Sequence, residues 1–147
     1  MTHLHIAFAA SGTTLSIVVR DGSGAELGRQ SDTCDGAHAE WKAALFAVQY
    51  ATAHAAQRLT LYSHHDAVVT ALELKPRDHS SEYRRWSKGK ATGSDLTTPE
   101  EDGLVWRYAL MAALYGGFMG RWNVRRITAE RNVALAGARA QLSMEDA

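Results

Sequence analysis

Two groups of residues in this 147-residue chain have types and spacing that could do chemistry. The first is Glu40 together with the run His64-His65-Asp66, which offers two imidazoles and two carboxylates. Such a donor set suits a borderline divalent cation, Zn²⁺ or Mn²⁺. Adjacent residues at a strand end point to opposite faces, however, so only one of the two histidines can share the side of Glu40. The competing reading is a set of polar residues that fill a pocket. Glu40 also stands near the start of a helical stretch, where the dipole favours a carboxylate by ~0.3–1 kcal/mol with no catalytic role.

The second group is basic. Lys75, Arg77, Arg84, Arg85, Lys88 and Lys90 crowd one stretch against only Asp78 and Glu82, with Trp86 among them. Cations interleaved with an aromatic side chain are the ingredients of phosphate contacts and base stacking. The competing reading anchors Trp86 in the core and leaves the cations solvated. Arg125, Arg126 and Arg131 form a smaller set that strand alternation divides, and a solvated surface accounts for it.

Whole-chain charge sharpens the contrast. The 16 basic and 16 acidic residues cancel, which argues against a protein that coats nucleic acid through bulk electrostatics. The cancellation is uneven: residues 1–74 hold 4 basic and 7 acidic side chains, residues 75–147 hold 12 and 9. An anionic partner therefore belongs to the second half. A single cysteine, Cys34, excludes an internal disulfide and a Cys-rich zinc module. With 46% apolar residues the chain reads as one globular domain over 1–147, large enough to bury roughly 70% of its unfolded surface. It has no run near the ~20 apolar residues of a membrane span, and Met1-Thr2-His3-Leu4-His5 lacks the basic and apolar regions of a signal peptide, so the expected compartment is the cytoplasm.

The elements that must position these residues follow from periodicity. His3 to Ala9 and Thr14 to Arg20 alternate as strands of a hairpin around Ser11-Gly12-Thr13, and Ala25 to Thr33 makes a third strand, polar enough for an edge. After Asp35-Gly36 the period changes. Trp41, Leu45, Val48 and Thr52 mark the buried stripe of a helix of about five turns in an alanine-rich run up to Gln57. Arg58 to Ser63 is a short strand, and Asp66 caps a helix through Val68, Val69 and Leu72 that stops before Pro76. Ser87 to Thr98 reads as a loop. Thr98-Pro99-Glu100-Glu101 starts a helix with core positions Leu104, Tyr108, Met111 and Tyr115, ended or frayed at Gly116-Gly117. Trp122 to Ile127 alternates as a last strand, and Thr128 caps a final helix to about Leu142. Trp41, Trp106 and Trp122 fall in apolar stripes and are core residues by that pattern. His3, His5, His38, His54 and His79 show no spacing that makes a site. The order β-β-β-α-β-α-α-β-α predicts an α/β fold, a mixed five-stranded sheet of a three-stranded antiparallel meander plus two parallel strands, flanked by helices.

That order, with three local matches, resembles ribonuclease H of type 1. The matches are Ala39-Glu40-Trp41-Lys42-Ala43-Ala44-Leu45, Leu61-Tyr62-Ser63-His64-His65-Asp66-Ala67-Val68-Val69 and Glu130-Arg131-Asn132-Val133-Ala134-Leu135-Ala136. The resemblance spans nearly the whole chain, and it implies a ribonuclease H-like fold. It also implies cleavage of the RNA strand of RNA–DNA hybrids by two divalent metals held on three Asp and one Glu. Two cations about 4 Å apart need several hard carboxylates to offset their repulsion. Carried over position by position, the first Asp falls at Ala9 or Ala10, the next at His64 and the last at Val133; Glu40 alone keeps its carboxylate. The loops that touch the RNA strand in the family are missing or shortened here, and the basic stretch falls where some members carry a substrate-gripping protrusion.

The leading expectation is therefore a catalytically degenerate ribonuclease H-like domain, a pseudoenzyme that binds RNA, DNA or their hybrid through Lys75, Arg84, Arg85, Trp86, Lys88 and Lys90, with no cofactor. In that case Glu40 can pair with His64 in place of the metals and raise the pKa of the histidine. A first alternative is a metal-dependent nuclease with relocated ligands, Glu40, His64 and Asp66 holding Mn²⁺ or Mg²⁺. A second is a protein-interaction scaffold or homodimer, built through a helix face around Tyr108 to Met119 with Met111, Phe118 and Met119.

Overall fold

The computed structural model describes residues 2–73, 106–107 and 109–145. The expected meander is present. β1 (His3–Ser11) turns at Gly12, whose φ of 58° is in the left-handed region, into antiparallel β2 (Thr14–Arg20). The next turn holds Gly24 at φ 88° and is knitted by Asp21, whose carboxylate accepts from the Ser23 and Ala25 amides at 2.9 and 3.1 Å. β3 (Glu26–Thr33) leaves that turn as an exposed edge strand.

α1 (Ala39–Ala53) carries the chain back to β4 (Arg58–Ser63), which lies parallel to β1. α2 (Asp66–Leu72) follows, and residues 109–112 are helical and run into a π-helical turn at Ala113–Gly117. β5 (Arg121–Arg126) pairs in parallel with β4, and a 3₁₀ turn at Ala129–Arg131 leads to α3 (Val133–Glu145). The sheet order is β3-β2-β1-β4-β5, the mixed five-stranded sheet that the alternation predicts. No helix of the described residues is long and apolar enough to cross a membrane.

Strand alternation divides the sheet chemically. Leu4, Ile6 and Phe8 of β1, Leu15, Ile17 and Val19 of β2, and Leu59 and Leu61 of β4 bury one face against α1. Each large apolar side chain so buried contributes about 1.5–3 kcal/mol. α3 crosses the opposite face, where Ala134 and Leu135 meet Ala9 and Val18, and Gly137 comes so close to Ser16 that a Cβ would stand 3.2 Å from its Oγ.

Several local expectations are corrected. α1 has 15 residues, about four turns, because Ala55 takes a left-handed φ of 51°. Its buried face is Ala43, Ala44, Ala47, Val48 and Ala51, while Trp41 and Leu45 are only half-buried and Thr52 is exposed. Small side chains let the helix lie close to the sheet, which moves the buried stripe off the largest residues. His65 rather than Asp66 caps α2, its ring nitrogen accepting from the Val68 amide at 3.4 Å. Thr128 makes no cap; Asn132 does, for α3. Tyr115 is exposed, whereas Met111 and Phe118 are buried and Met119 projects outward. Trp41, Trp106 and Trp122 are half-buried, Trp41 and Trp122 against the main core. The loop 87–98, the helix start at Thr98-Pro99, Leu104 and Tyr108 lie outside the described residues.

Candidate functional site

The C-terminal ends of β1 and β4 and the N-terminal ends of α1 and α3 meet in one region, and the first side chain it holds is Glu40. Placed in the first turn of α1, Glu40 accepts a hydrogen bond on Oε1 from the Ala10 amide of β1 at 3.3 Å. Its Oε2 is buried and has no partner among the described residues. Burial pushes the carboxyl pKa up to about 7, and the Ala10 amide opposes this only in part. A shallow cleft of about 430 Å³ opens beside it, lined also by Gly12, His38, Trp41 and His65. Of the two histidines, His65 is thus the one on the Glu40 side.

His64 faces another group. Its Nδ1 lies 2.9 Å from the side-chain amide of Asn132, which is buried at the entry to α3. The rest of the asparagine fixes who donates. Its Oδ1 accepts from the Ala134 and Leu135 amides at 3.1 and 3.4 Å, and its Nδ2 donates to the Phe8 carbonyl at 3.1 Å. Nδ2 must then be the donor to His64 as well, so Nδ1 accepts and the imidazole is neutral with its proton on Nε2. Burial and then the Arg139 guanidinium hold the His64 pKa below its usual value, with Glu130 opposing. The expected Glu40–His64 pair and its raised histidine pKa are therefore replaced by a His64–Asn132 pair with the shift reversed. His65 is also lowered, by burial first and by His64 second.

Asp66, third member of the relocated-ligand set, is exposed and forms an ion pair with Arg126 of β5. Among the described residues no three His, Cys, Asp or Glu side chains are grouped to hold a metal ion. Of the positions that the resemblance aligns with carboxylates, Ala10 contributes an N–H and His64 is engaged by an amide, which leaves Glu40 as the one carboxyl among them, a donor set that does not fit two divalent cations. The basic set Lys75, Arg84, Arg85, Trp86, Lys88 and Lys90 lies outside the described residues.

Asn132 is the residue that sequence reasoning missed. Its signal was an asparagine directly before the apolar run Val-Ala-Leu-Ala, a preferred N-cap type in a cap position. His3 and His5 were also passed over. They share one face of β1 with ring centroids 4.1 Å apart, and they bond Thr60 and Tyr62 of β4 at 2.9 and 2.8 Å.

No family model matches the chain, and no curated protein matches it. Solved structures do. RNase H1 of the halophilic archaeon Halobacterium salinarum is similar at a TM-score of 0.61 and 18% identity, over 99% of this chain and 98% of that one. The N-terminal RNase H domain of a Mycobacterium tuberculosis protein gives 0.61 and 14% over the full length of both. LC11-RNase H1, in complex with an RNA/DNA hybrid, gives 0.57 and 13% over 97% and 99%. Taken with the sheet order and the helices on its two faces, these likenesses show that the chain has a ribonuclease H-like fold.

Proposed function

We propose that this chain is a nucleic-acid-binding domain on a ribonuclease H-like fold that has given up metal-dependent hydrolysis. The observation that carries the reading is the state of Glu40 and its neighbours. Where the resemblance calls for four carboxylates there is one, Glu40, and the other positions are Ala9 or Ala10, His64 and Val133. Around His64 the groups are joined by neutral hydrogen bonds, the amide of Asn132 linking β1, His64 and α3. A nucleic-acid partner is supported by the fold, one of whose solved examples holds an RNA/DNA hybrid, and by the basic excess of the second half of the chain. Lys75, Arg84, Arg85, Lys88 and Lys90 supply the phosphate contacts, and Trp86 the stacking surface.

Fluorescence anisotropy with labelled hybrid, duplex and single-stranded oligonucleotides tests the partner. Five phosphate contacts predict that affinity falls roughly a hundredfold to a thousandfold between 50 and 200 mM salt. The double variant Arg84→Ala/Arg85→Ala should weaken binding and flatten the salt dependence. Absence of binding at low salt, with salt-insensitive self-association, would favour the scaffold reading instead.

A further inference from the structure

The sheet face opposite α1 holds a second cleft that the nucleic-acid reading does not use. α3 packs on this face against β1 and β2. Beyond it, between the Asp21-Gly22-Ser23-Gly24 turn and the segment entering α3, lies a cleft of about 480 Å³. Small-molecule sites commonly span about 300–1,000 Å³. Ala7, half-buried on β1 with the buried Val18 beside it on β2, forms a small, apolar floor. His5 and Tyr62 stand beside that floor, hydrogen-bonded Nδ1 to Oη at 2.8 Å, with ring centroids 5.9 Å apart. Arg20, at the end of β2, and Arg131, in the 3₁₀ turn, bring exposed guanidinium groups from the two walls.

The charges facing the cleft are unequal. Arg20 and Arg131 line it and Arg125 acts on His5 from β5, against Asp21 in the lining and Glu26, which stands opposite Arg20 across β2 and β3 and is itself paired with Arg29. The Asp21 carboxylate is already occupied by the Ser23 hydroxyl and the Ser23 and Ala25 amides at 2.6, 2.9 and 3.1 Å. A flat apolar floor beside two rings takes a planar aromatic group, and two guanidinium groups at the rim take a phosphate. We propose that this cleft binds a nucleotide, its base over Ala7 against Tyr62 and its phosphate between Arg20 and Arg131. The nucleotide is either free or a unit of a single strand. The site shares no residue with the Lys75 to Lys90 stretch, so either can fail without the other.

Calorimetric titration of the full chain with AMP, adenosine, inorganic phosphate and a single-stranded octanucleotide tests it. AMP should bind at least tenfold more tightly than adenosine or phosphate alone. Arg20→Ala or Arg131→Ala should each weaken AMP about tenfold while leaving adenosine unchanged. Ala7→Phe should block both ligands, and Arg84→Ala/Arg85→Ala should leave AMP affinity as it is. Competition between AMP and the octanucleotide, lost in Arg131→Ala, identifies a strand as the source; AMP binding without competition identifies the free nucleotide. The proposal is overturned if AMP does not bind at millimolar concentration, if phosphate binds equally well, or if folded Arg20→Ala and Arg131→Ala bind AMP like the parent chain.

Discussion

Glu40 keeps one oxygen on the Ala10 amide and the other buried, and its stability contribution follows from which form it holds. Its pKa is about 7 in the fold against an ordinary 4.5. An acid shifted upward stabilises the fold while protonated, so its contribution is complete below pH 4.5 and is lost as pH rises through about 7. Glu40→Gln keeps the neutral form at every pH. Relative to the parent chain it should gain about 1–2 kcal/mol between pH 5 and pH 8, less than the full shift implies because the carboxyl is only partly buried, as read by urea denaturation at the two pH values. An unchanged difference between the two pH values would refute the raised pKa. Asn132 is the second residue of weight. Asn132→Ala removes the α3 cap and the side-chain bonds to the Phe8 carbonyl and His64 Nδ1, and chemical denaturation should show a loss of about 2–4 kcal/mol. At this scale the sequence was only partly legible. The residue types of Glu40, His64 and Asn132 could be read directly. Which of them meet could not: whether His64 faces Glu40 or Asn132 depends on the direction β4 takes as it leaves the sheet.

At the scale of elements, the strands were the most readable, because period-two alternation and the turns at Gly12 and Gly24 both point to the same boundaries. Helix faces were less so. The stripe of Trp41, Leu45 and Thr52 is a hydrophobicity pattern, but α1 packs through Ala43, Ala44, Ala47 and Ala51, where close approach outweighs side-chain size. Caps misled for a related reason: Asp66 and Thr128 are good cap types, but the chain path gives the cap to His65 and Asn132. Close approach also decides a testable case between elements. A Cβ on Gly120 would stand 2.3 Å from the Gln57 carbonyl oxygen, which accepts the Arg121 amide at 3.0 Å to set the start of β5 beside β4. Backbone cannot give way as a flexible side chain can. Gly120→Ala should therefore lower stability by about 2 kcal/mol or more, seen as an earlier urea midpoint, whereas exposed Gly22→Ala, with nothing near its Cβ, should change it by less than about 1 kcal/mol.

At the scale of the whole molecule, the order of elements proved more informative than any motif. A meander followed by two β-strand-and-helix units can place β4 beside β1 and β5 beside β4 with helices on both faces, and the sheet is arranged that way. Identity of 18% or below to the solved neighbours is enough to share that path, and a shared path does not by itself carry a shared chemistry. What the molecule does with the path rests on whether the region around Glu40 hydrolyses a phosphodiester. The direct measurement is a gel assay of a labelled RNA/DNA hybrid incubated with the full chain in excess, in Mg²⁺ and in Mn²⁺, at pH 6 and pH 8.5. The account predicts intact hybrid in every lane, for the parent chain and for Glu40→Gln alike. Cleavage of the RNA strand that needs the metal and disappears in Glu40→Gln would contradict it.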